Sequence, residues 1–151
     1  MKNLRIIFAC LFARLTRALL RVLGHGGTAL PGKVALKVFP SLLDELGRGV
    51  DTVVVTGTNG KTTTSGMLRH MLDEAGTPYL SNRSGANLTS GITAEFIFNA
   101  DLLGRPRKNV AVIECDEGIF PAVAAALQPR AVGITNLFRD QLDRYGEVTH
   151  T

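Results

Sequence analysis

The chain has few cysteines, and they form no recognisable pattern. Among its 151 residues only Cys10 and Cys115 carry thiols, and they lie far apart without a C-x-x-C spacing. The sequence therefore gives no support for a disulfide framework or a cysteine-based zinc site. Free thiols are typical of a reducing, cytoplasmic setting. Cys115 lies in an apolar segment, and we interpret it as a small buried side chain.

The chain also lacks a hydrophobic run long enough to span a bilayer. The apolar run near the N-terminus covers residues 6–13, whereas a transmembrane helix needs about 20 residues. Apolar side chains nevertheless recur at helical spacing and predict an amphipathic helix with three arginines on another face. The apolar set is Leu4, Ile7, Phe8, Leu11, Leu15, Ala18 and Val22, and the arginines are Arg14, Arg17 and Arg21.

Three interpretations of this helix stay open. It packs on the rest of the protein, it docks on an anionic membrane surface, or it is a signal peptide. A signal peptide fits the basic start and the apolar run, but the arginines continue the segment and no small-x-small cleavage site follows.

Acidic residues are absent from the N-terminal segment. Residues 1–37 carry seven Lys or Arg and no acid, a net charge of +7, whereas residues 38–151 carry ten Lys or Arg and thirteen Asp or Glu, a net charge of −3. The basicity of the chain therefore belongs to this segment. No basic patch interleaved with aromatic residues follows it, and so no nucleic-acid partner is predicted.

Residues 53–64, VVVTGTNGKTTT, combine a β-branched run, a glycine-bounded turn and the start of a helix. Backbone N–H groups at such a turn attract phosphate oxygens. Lys61 is predicted to reach the β- and γ-phosphates of ATP, and the Thr62 hydroxyl to bind Mg²⁺. A strand-to-helix turn without a ligand is the alternative. The predicted ATP-binding residues are Gly57, Thr58, Asn59, Gly60, Lys61, Thr62 and Thr63.

The glycine spacing of this turn is shorter than that of the standard P-loop. The standard motif places four residues between its first glycine and the Gly-Lys pair. Here only two residues separate Gly57 from Gly60, and Val55 stands where the first glycine of the standard motif would be.

Strands and helices alternate along the second part of the chain. Strands are predicted at 52–56, 78–81, 109–115 and 130–135, and helices at 61–75, 89–99 and 120–127. This alternation predicts an α/β fold with a parallel sheet flanked by helices. In the helix over 61–75, we expect Met67, Leu68, Met71 and Leu72 to face inward.

We divide the chain into an N-terminal basic helix with its connecting segment, 1–48, and the nucleotide-binding part, 49–151. Residues 24–32 are interpreted as a loop after the first helix, and residues 33–48 as a connection with a short helix at 42–46. No closing element follows the last strand, so we expect an incomplete domain, the front part of a larger protein.

Polar clusters follow the three long strands, and parallel sheets bind ligands at the carboxyl ends of their strands. Mg²⁺ prefers oxygen ligands, so Glu114, at the end of a strand, is predicted to be a metal ligand and, with Lys61, a catalytic residue. Asp116 and Glu117 are candidates for a second ion or a water. The alternative is an acidic helix N-terminus that interacts only with the helix dipole. Asp140 and Asp143 either cap a helix or reach this pocket.

The segment 56–62, TGTNGKT, resembles the phosphate loop of the Mur ligase family, which includes folylpolyglutamate synthase and which has this shortened glycine spacing. Within the family, segments 27–32, 81–88 and 136–146 resemble the MurT-type subunits of lipid II isoglutaminyl synthase. The likeness covers nearly the whole chain. At the position where most of the family has a metal-binding histidine, this chain has Gln141, which puts a second metal ion in doubt.

The resemblance implies an ATP- and Mg²⁺-dependent, amide-forming ligase of peptidoglycan synthesis with the fold of a Mur ligase central domain. ATP would phosphorylate the α-carboxyl of D-glutamate in the stem peptide of lipid II. Ammonia from a GatD-type glutaminase subunit would then attack the acyl phosphate, leaving D-isoglutamine.

The resemblance also implies site residues and further parts of the protein. Thr62 and Glu114 would bind Mg²⁺. The residues expected near the substrate are Asn82, Arg83, Asn87, Asn136 and Asp140. A C-terminal domain and a zinc-binding insertion would complete the enzyme, so we expect the isolated 151 residues to be inactive or nearly so.

Other functions remain open. A folylpolyglutamate-synthase-like or amino-acid-adding Mur ligase would use an amino acid as nucleophile and typically carry histidine at position 141. A P-loop switch or ATPase would hydrolyse ATP without a carboxylate acceptor, and an inactive fragment would do neither. We expect a cytoplasmic protein whose basic helix contacts the inner face of the membrane, where lipid II lies.

Overall fold

Residues 2–24, 29–82 and 86–136 are described by the structure, a computed structural model of the chain. Their elements, in chain order, are α1 (Lys2–Val22), α2 (Ala29–Val38), α3 (Leu42–Gly47), β1 (Asp51–Thr56), α4 (Lys61–Glu74), β2 (Tyr79–Ser81), α5 (Thr89–Asn99), β3 (Val110–Glu114), a 3₁₀ turn (Glu117–Ile119), α6 (Phe120–Leu127) and β4 (Ala131–Ile134). In the described part of the chain, no helix is both long and apolar enough to cross a membrane.

The four strands form one parallel sheet in the order β2-β3-β1-β4. Strand β1 pairs with β3 up to Val55 opposite Glu114, and with β4 up to Thr56 opposite Ile134. The inner strands β1 and β3 are mostly buried, as their continuous apolar runs predict for a parallel sheet covered on both faces. The predicted parallel α/β sheet is therefore confirmed, and its register brings the ends of β1, β3 and β4 together.

The buried core extends from α1 to α6 without a break at residue 48. Residues of α1 and α3, among them Ile6, Leu42 and Leu46, belong to the same buried cluster as Val54 of β1 and Ile113 of β3. The boundary placed after residue 48 stays a prediction.

The segment interpreted as a loop and a connection contains the helix α2. Pro31 lies in its first turn, where backbone N–H groups have no partner within the helix, so the N–H group that proline lacks is not missed. A Cβ atom at Gly32 would collide with the backbone of Ser90 in α5. Gly32 therefore allows two helices to touch, and the interpretation of this Pro-Gly pair as a loop signal was wrong.

Helix α1 packs on the protein, but with a different face from the one that its long apolar side chains suggest. Its buried residues are Ile6, Ala9, Cys10 and Ala13, and the helix contacts α2 and α5. The exposed large apolar residues of this segment are Leu4, Phe8, Leu11, Phe12, Leu15, Leu19, Val22 and Leu23. Small side chains allow α1 to lie close to its neighbours, and the large side chains are left outside.

Two of the four α1 arginines, Arg14 and Arg17, are bound by other parts of the protein. The guanidinium group of Arg14 donates to the main-chain carbonyls of Ile97, at 3.3 Å, and of Ala100. The guanidinium carbon of Arg17 lies 3.9 Å from the centre of the Phe98 ring, a cation–π contact. The arginine side of α1 thus faces α5 and its C-terminal end.

Helix α4 also differs from the prediction. Met67 and Met71 are exposed by 63% and 67%, so the expectation that they face inward was wrong, whereas Leu68 and Leu72, the other two residues of that expected face, are half-buried. Ser65 is the buried residue of this helix, and the Arg69 side chain reaches back to it. Ser65 and Arg69 face inward because a buried carboxylate, Glu114, lies opposite them.

Candidate active site

Residues 57–60 form the turn between β1 and α4, and both of its glycines have positive φ angles, +126° at Gly57 and +84° at Gly60. Residues other than glycine rarely adopt such angles. A Cβ atom on Gly57 would also collide with the Thr135 hydroxyl and the Asn136 carbonyl at the end of β4. Gly57 is therefore required by the backbone angle and by the close approach of β4.

Asn136 holds this turn through both its main chain and its side chain. Its carbonyl oxygen accepts from the Thr58 N–H group at 2.9 Å, and its Oδ1 accepts from the Asn59 N–H group at 2.9 Å. Its Nδ2 donates to the Asn59 carbonyl at 3.1 Å, and the Thr135 hydroxyl donates to that carbonyl at 2.6 Å. Residues at the end of β4 thus fix the turn that precedes α4, and the first N–H groups of an α-helix have no partner within the helix.

The ammonium group of Lys61 lies over the turn. It donates to the Gly57 carbonyl and, at 3.3 Å, to the Thr58 carbonyl. Its nitrogen also lies 3.8 Å from a carboxylate oxygen of Asp116 and 3.6 Å from one of Glu117. The cation is therefore held between the phosphate loop and the acidic residues that follow β3.

The pKa of Glu117 is lowered in this arrangement. Burial alone would raise its pKa, but its own backbone N–H group, the positive charge of Lys61 and the Thr58 hydroxyl together lower the pKa below its ordinary value. The Thr58 hydroxyl donates to Oε1 of Glu117 at 3.1 Å. Glu117 is thus a buried anion that links the side chains of the phosphate loop to the end of β3.

The two carboxylate oxygens of Glu114 have different partners. Oε2 accepts from the Thr62 hydroxyl at 3.0 Å. Oε1 accepts from the Ser65 hydroxyl and, at 3.3 Å, from the Arg69 guanidinium group. One oxygen therefore lies beside Thr62, the other predicted Mg²⁺ ligand, while the second oxygen is anchored to α4.

This pair of oxygens fits a magnesium ion that also takes ligands from a nucleotide. Mg²⁺ is commonly bound by one or two carboxylates together with phosphate oxygens and water. Within residues 2–24, 29–82 and 86–136, no group of three or more His, Cys, Asp or Glu side chains lies close enough to bind a metal. Thr62 and Glu114 are the residues that would hold the ion.

Ser65 and Arg69 were not predicted as site residues. Lys61, Ser65 and Arg69 follow one another at intervals of four residues, which places them on one face of α4. The signal that identifies them is a row of polar residues at intervals of four, which starts at the lysine of the phosphate loop and lies on a helix that packs against a buried sheet.

Asn82 and Asn87 connect the end of β2 to the end of β3. Asn82 is buried, and its side chain accepts from the Glu114 N–H group at 2.8 Å and donates to the Glu114 carbonyl at 2.7 Å. The Asn87 carbonyl accepts from the Asp116 N–H group at 3.2 Å. Substrate contacts of Asn82, Asn87 and Asn136 stay predictions, and Arg83, Asp140, Gln141 and Asp143 lie outside the described residues.

The Cys115 thiol next to this site is protonated. Burial, with smaller contributions from Asp116 and Glu117, raises its pKa to about 12, although Lys61 opposes the change. Both Cys10 and Cys115 are buried and free, which confirms the interpretation of Cys115 as a small buried side chain.

Comparison with known proteins identifies the family. The profile of the Mur ligase middle domain matches residues 55–150, which contain the phosphate loop, Glu114 and the end of β4. The chain belongs to the Mur ligase family. The resemblance of segment 56–62 to the phosphate loop of this family is therefore confirmed.

Two similar proteins are MurT subunits of lipid II isoglutaminyl synthase (glutamine-hydrolyzing). The subunit from Staphylococcus aureus is 43% identical over 137 residues, 90% of this chain and 30% of the relative. The subunit from Streptococcus pneumoniae is 41% identical over 149 residues, 99% of this chain and 33% of the relative. The chain thus spans 30% to 33% of the length of these curated relatives.

A solved structure shows the same fold. The crystal structure of MurF from Acinetobacter baumannii aligns with a TM-score of 0.58 and 26% identity, over 82% of this chain and 26% of that chain. The parallel sheet and its flanking helices thus have the arrangement of a Mur ligase.

Proposed function

We propose that this chain is the ATP-binding part of a MurT-type subunit. In this proposal the complete protein uses ATP to amidate the α-carboxyl of D-glutamate in the lipid II stem peptide, forming D-isoglutamine by way of an acyl phosphate. Ammonia comes from a GatD-type glutaminase subunit. The observation that carries the proposal is the pairing of the Thr62 hydroxyl with Glu114 beside Lys61, in a chain 41–43% identical to MurT subunits.

The chemistry requires activation of a carboxylate, which is a poor electrophile until one oxygen becomes a phosphate leaving group. Mur ligases in general depend on ATP and Mg²⁺. The N–H groups at the start of α4 would bind the phosphates of ATP, and Lys61 would neutralise charge on the phosphoryl group during transfer. Thr62 and Glu114 would hold Mg²⁺, which supplies further positive charge when bound.

Asp116 and Glu117 contribute by placing the lysine. Their carboxylates lie within 3.8 Å of the Lys61 nitrogen, which keeps the ammonium group over the phosphate loop. A lysine side chain loses much rotamer entropy when it is ordered. Because Lys61 is already ordered before ATP binds, less side-chain entropy is lost when the complex forms.

The proposal places the protein in the cytoplasm, at the inner face of the membrane where lipid II lies. The division at residue 48, the substrate contacts of Asn82, Arg83, Asn87, Asn136 and Asp140, and the completion of the enzyme by further domains belong to the same proposal.

An amidation assay tests this function. The complete natural protein and its glutaminase partner are incubated with lipid II, ATP and glutamine, and the stem peptide is analysed by mass spectrometry. We expect conversion of one carboxyl to an amide, and its loss in Lys61→Ala and Glu114→Gln. Glu74→Gln, an exposed change at the end of α4, is the matched control and should keep activity. Transfer of an amino acid instead of ammonia, or ATP hydrolysis without an acceptor, would contradict the proposal.

A further inference from the structure

Helix α1 presents a continuous apolar surface to the outside. The apolar face of α1, as we use the term, consists of Leu4, Phe8, Leu11, Phe12, Leu15, Leu19 and Val22. Their exposed fractions run from 41% at Leu11 to 84% at Val22. At a rise of about 1.5 Å per residue, a helix of this length extends over about 30 Å. An apolar stripe of this extent marks an interaction site.

The helix cannot bury this face by rotating. Its opposite side is already packed through Ala9 and Ala13, which are fully buried. Arg14 is bonded to main-chain carbonyls at the end of α5, and Arg17 lies on the Phe98 ring. Rotation would break all of these contacts, and so the apolar face needs a partner outside the described residues.

The charge of the surrounding segment indicates which partner fits. Neither α1 nor α2 contains an acidic residue. Arg14 and Arg17 are bound by the protein, but Arg5, Arg21, Lys33 and Lys37 are still exposed. Within α1 and α2 the apolar face is accompanied by cations only, while the acids that interact with α1, Glu95 and Asp101, belong to α5 and the segment after it. An apolar helical face flanked by cations of its own helix has the chemistry of helices that lie in the interface of an anionic membrane.

The composition of the face favours a lipid over a protein partner. Its seven residues are five aliphatic and two phenylalanine side chains, without a hydrogen-bonding group. The energetic centres of protein–protein interfaces are enriched in Trp, Tyr and Arg and poor in Leu and Val, and those interfaces carry regular hydrogen bonds. Contact with acyl chains requires neither these polar and aromatic residues nor hydrogen bonds.

We propose that α1 lies in the plane of an anionic membrane, with its apolar face in the acyl-chain boundary and Arg5 and Arg21 at the headgroups. The sequence left docking on an anionic membrane surface as one of three interpretations of this helix. In the structure, Arg14 and Arg17 fasten α1 to α5, and so the apolar face is the surface that we assign to the membrane. This inference rests on the proposed function, which places the enzyme at the inner face of the membrane, and it adds which surface of the protein contacts the lipid.

Vesicle co-sedimentation tests this inference without catalysis. The complete natural protein with its partner subunit is mixed with vesicles of phosphatidylcholine alone or with phosphatidylglycerol. We expect binding to the anionic vesicles, and at least a tenfold weaker affinity for Leu15→Gln/Leu19→Gln. Met67→Gln/Met71→Gln is the matched control, because these methionines are equally exposed on α4, and it should bind as the wild type does. Arg5→Gln/Arg21→Gln should weaken binding to anionic vesicles only.

The remaining outcomes each overturn the inference. These are failure of the wild type to bind anionic vesicles, equal loss in the methionine control, and unfolding or subunit release in Leu15→Gln/Leu19→Gln, which would show that the face is covered by protein.

Amidation separates this inference from the proposed function. A water-soluble, short-chain lipid II should be amidated by Leu15→Gln/Leu19→Gln at the wild-type rate, whereas lipid II in vesicles should react more slowly. Equal rates on both substrates would refute the membrane role and leave the ligase function standing.

Discussion

The Thr62 hydroxyl donates a 3.0 Å hydrogen bond to one carboxylate oxygen of Glu114, joining the first turn of α4 to the end of β3. The two residues lie 52 positions apart in the chain, and they present two adjacent oxygen atoms. Because hard cations prefer oxygen ligands, this contact is where the proposed Mg²⁺ ion would bind.

Thr62→Ala should weaken the response to magnesium. The variant loses one oxygen ligand but keeps the carboxylate, so we expect the Mg²⁺ concentration at half-maximal ATP binding to rise about tenfold, equivalent to about 1.4 kcal/mol. Titration calorimetry with ATP at fixed Mg²⁺ concentrations measures this change. Thr16→Ala is the control, since that hydroxyl bonds to the Phe12 carbonyl on exposed α1. An unchanged magnesium response would remove Thr62 from the metal site.

Arg69→Met should destabilise the protein by leaving Glu114 without its cationic partner. The Arg69 guanidinium lies 3.3 Å from Oε1 of Glu114, whose side chain is 6% exposed. Removing one partner of a buried ion pair costs about 3–5 kcal/mol, and the Ser65 hydroxyl that remains bonded to Glu114 should hold the loss near the lower end. Urea unfolding followed by circular dichroism measures it.

A double-mutant cycle is the control for this pair. Arg69→Met in a Glu114→Gln background should cost about 1–3 kcal/mol less than in the wild type, because no buried charge is then left unpaired. Additive effects of the two changes would show that Arg69 stabilises the fold independently of Glu114.

Gly57→Ala should damage the phosphate loop more than an equivalent change elsewhere. The new Cβ would meet the end of β4 at a positive φ angle, so both strain and displacement of Asn136 are expected. Gly49→Ala is matched, because Gly49 also has positive φ, +76°, but has open space around the added atom. We expect Gly49→Ala to cost about 1 kcal/mol from strain and to retain ATP binding.

Gly57→Ala should cost more than this in thermal unfolding and should lose ATP binding measured by fluorescence with a labelled nucleotide. Equal effects of the two variants on both measurements would show that the close approach of β4 has no role in the site.

Glu95→Gln should stabilise the protein at neutral pH. Burial raises the pKa of Glu95, and Arg17 offsets the change only in part. When folding raises the pKa of a carboxyl group, the free energy of unfolding falls as the pH rises from below the ordinary pKa to above the raised one, because the unfolded state loses its proton more easily. The amide removes this cost, so the Tm difference between variant and wild type should be positive at pH 7 and should shrink towards pH 4. A lower Tm for the variant at pH 7 would contradict this account.

Elements with an unambiguous pattern could be predicted closely from the sequence. The helices over Thr89–Asn99 and Phe120–Leu127 begin and end where the pattern places them, and the ends of the strands differ by at most one residue. The register that unites the phosphate loop with Glu114 follows from the rule that parallel strands end at one edge.

The errors arose where tertiary contacts override a local signal. Pro31 and Gly32 are typical of a loop, yet Gly32 serves close helix packing against Ser90. Met67 and Met71 suit a buried helix face, but Glu114 requires polar partners at the inward positions of α4. For α4 the polar stripe of Lys61, Ser65 and Arg69 was the available signal, whereas nothing in the sequence indicates that Gly32 lies against Ser90 of α5.

The hydrogen bonds from Asn136 to the phosphate loop have a consequence for the order in which the protein is made. Residues 58 and 59 receive their fixed conformation from a strand end that is synthesised more than seventy residues later. During translation the lysine, the threonine and the glycines of the loop are all present well before the loop acquires its final geometry. ATP affinity should therefore develop late, when β4 joins β1, and a labelled nucleotide would report the closing of the sheet on a ribosome-bound chain.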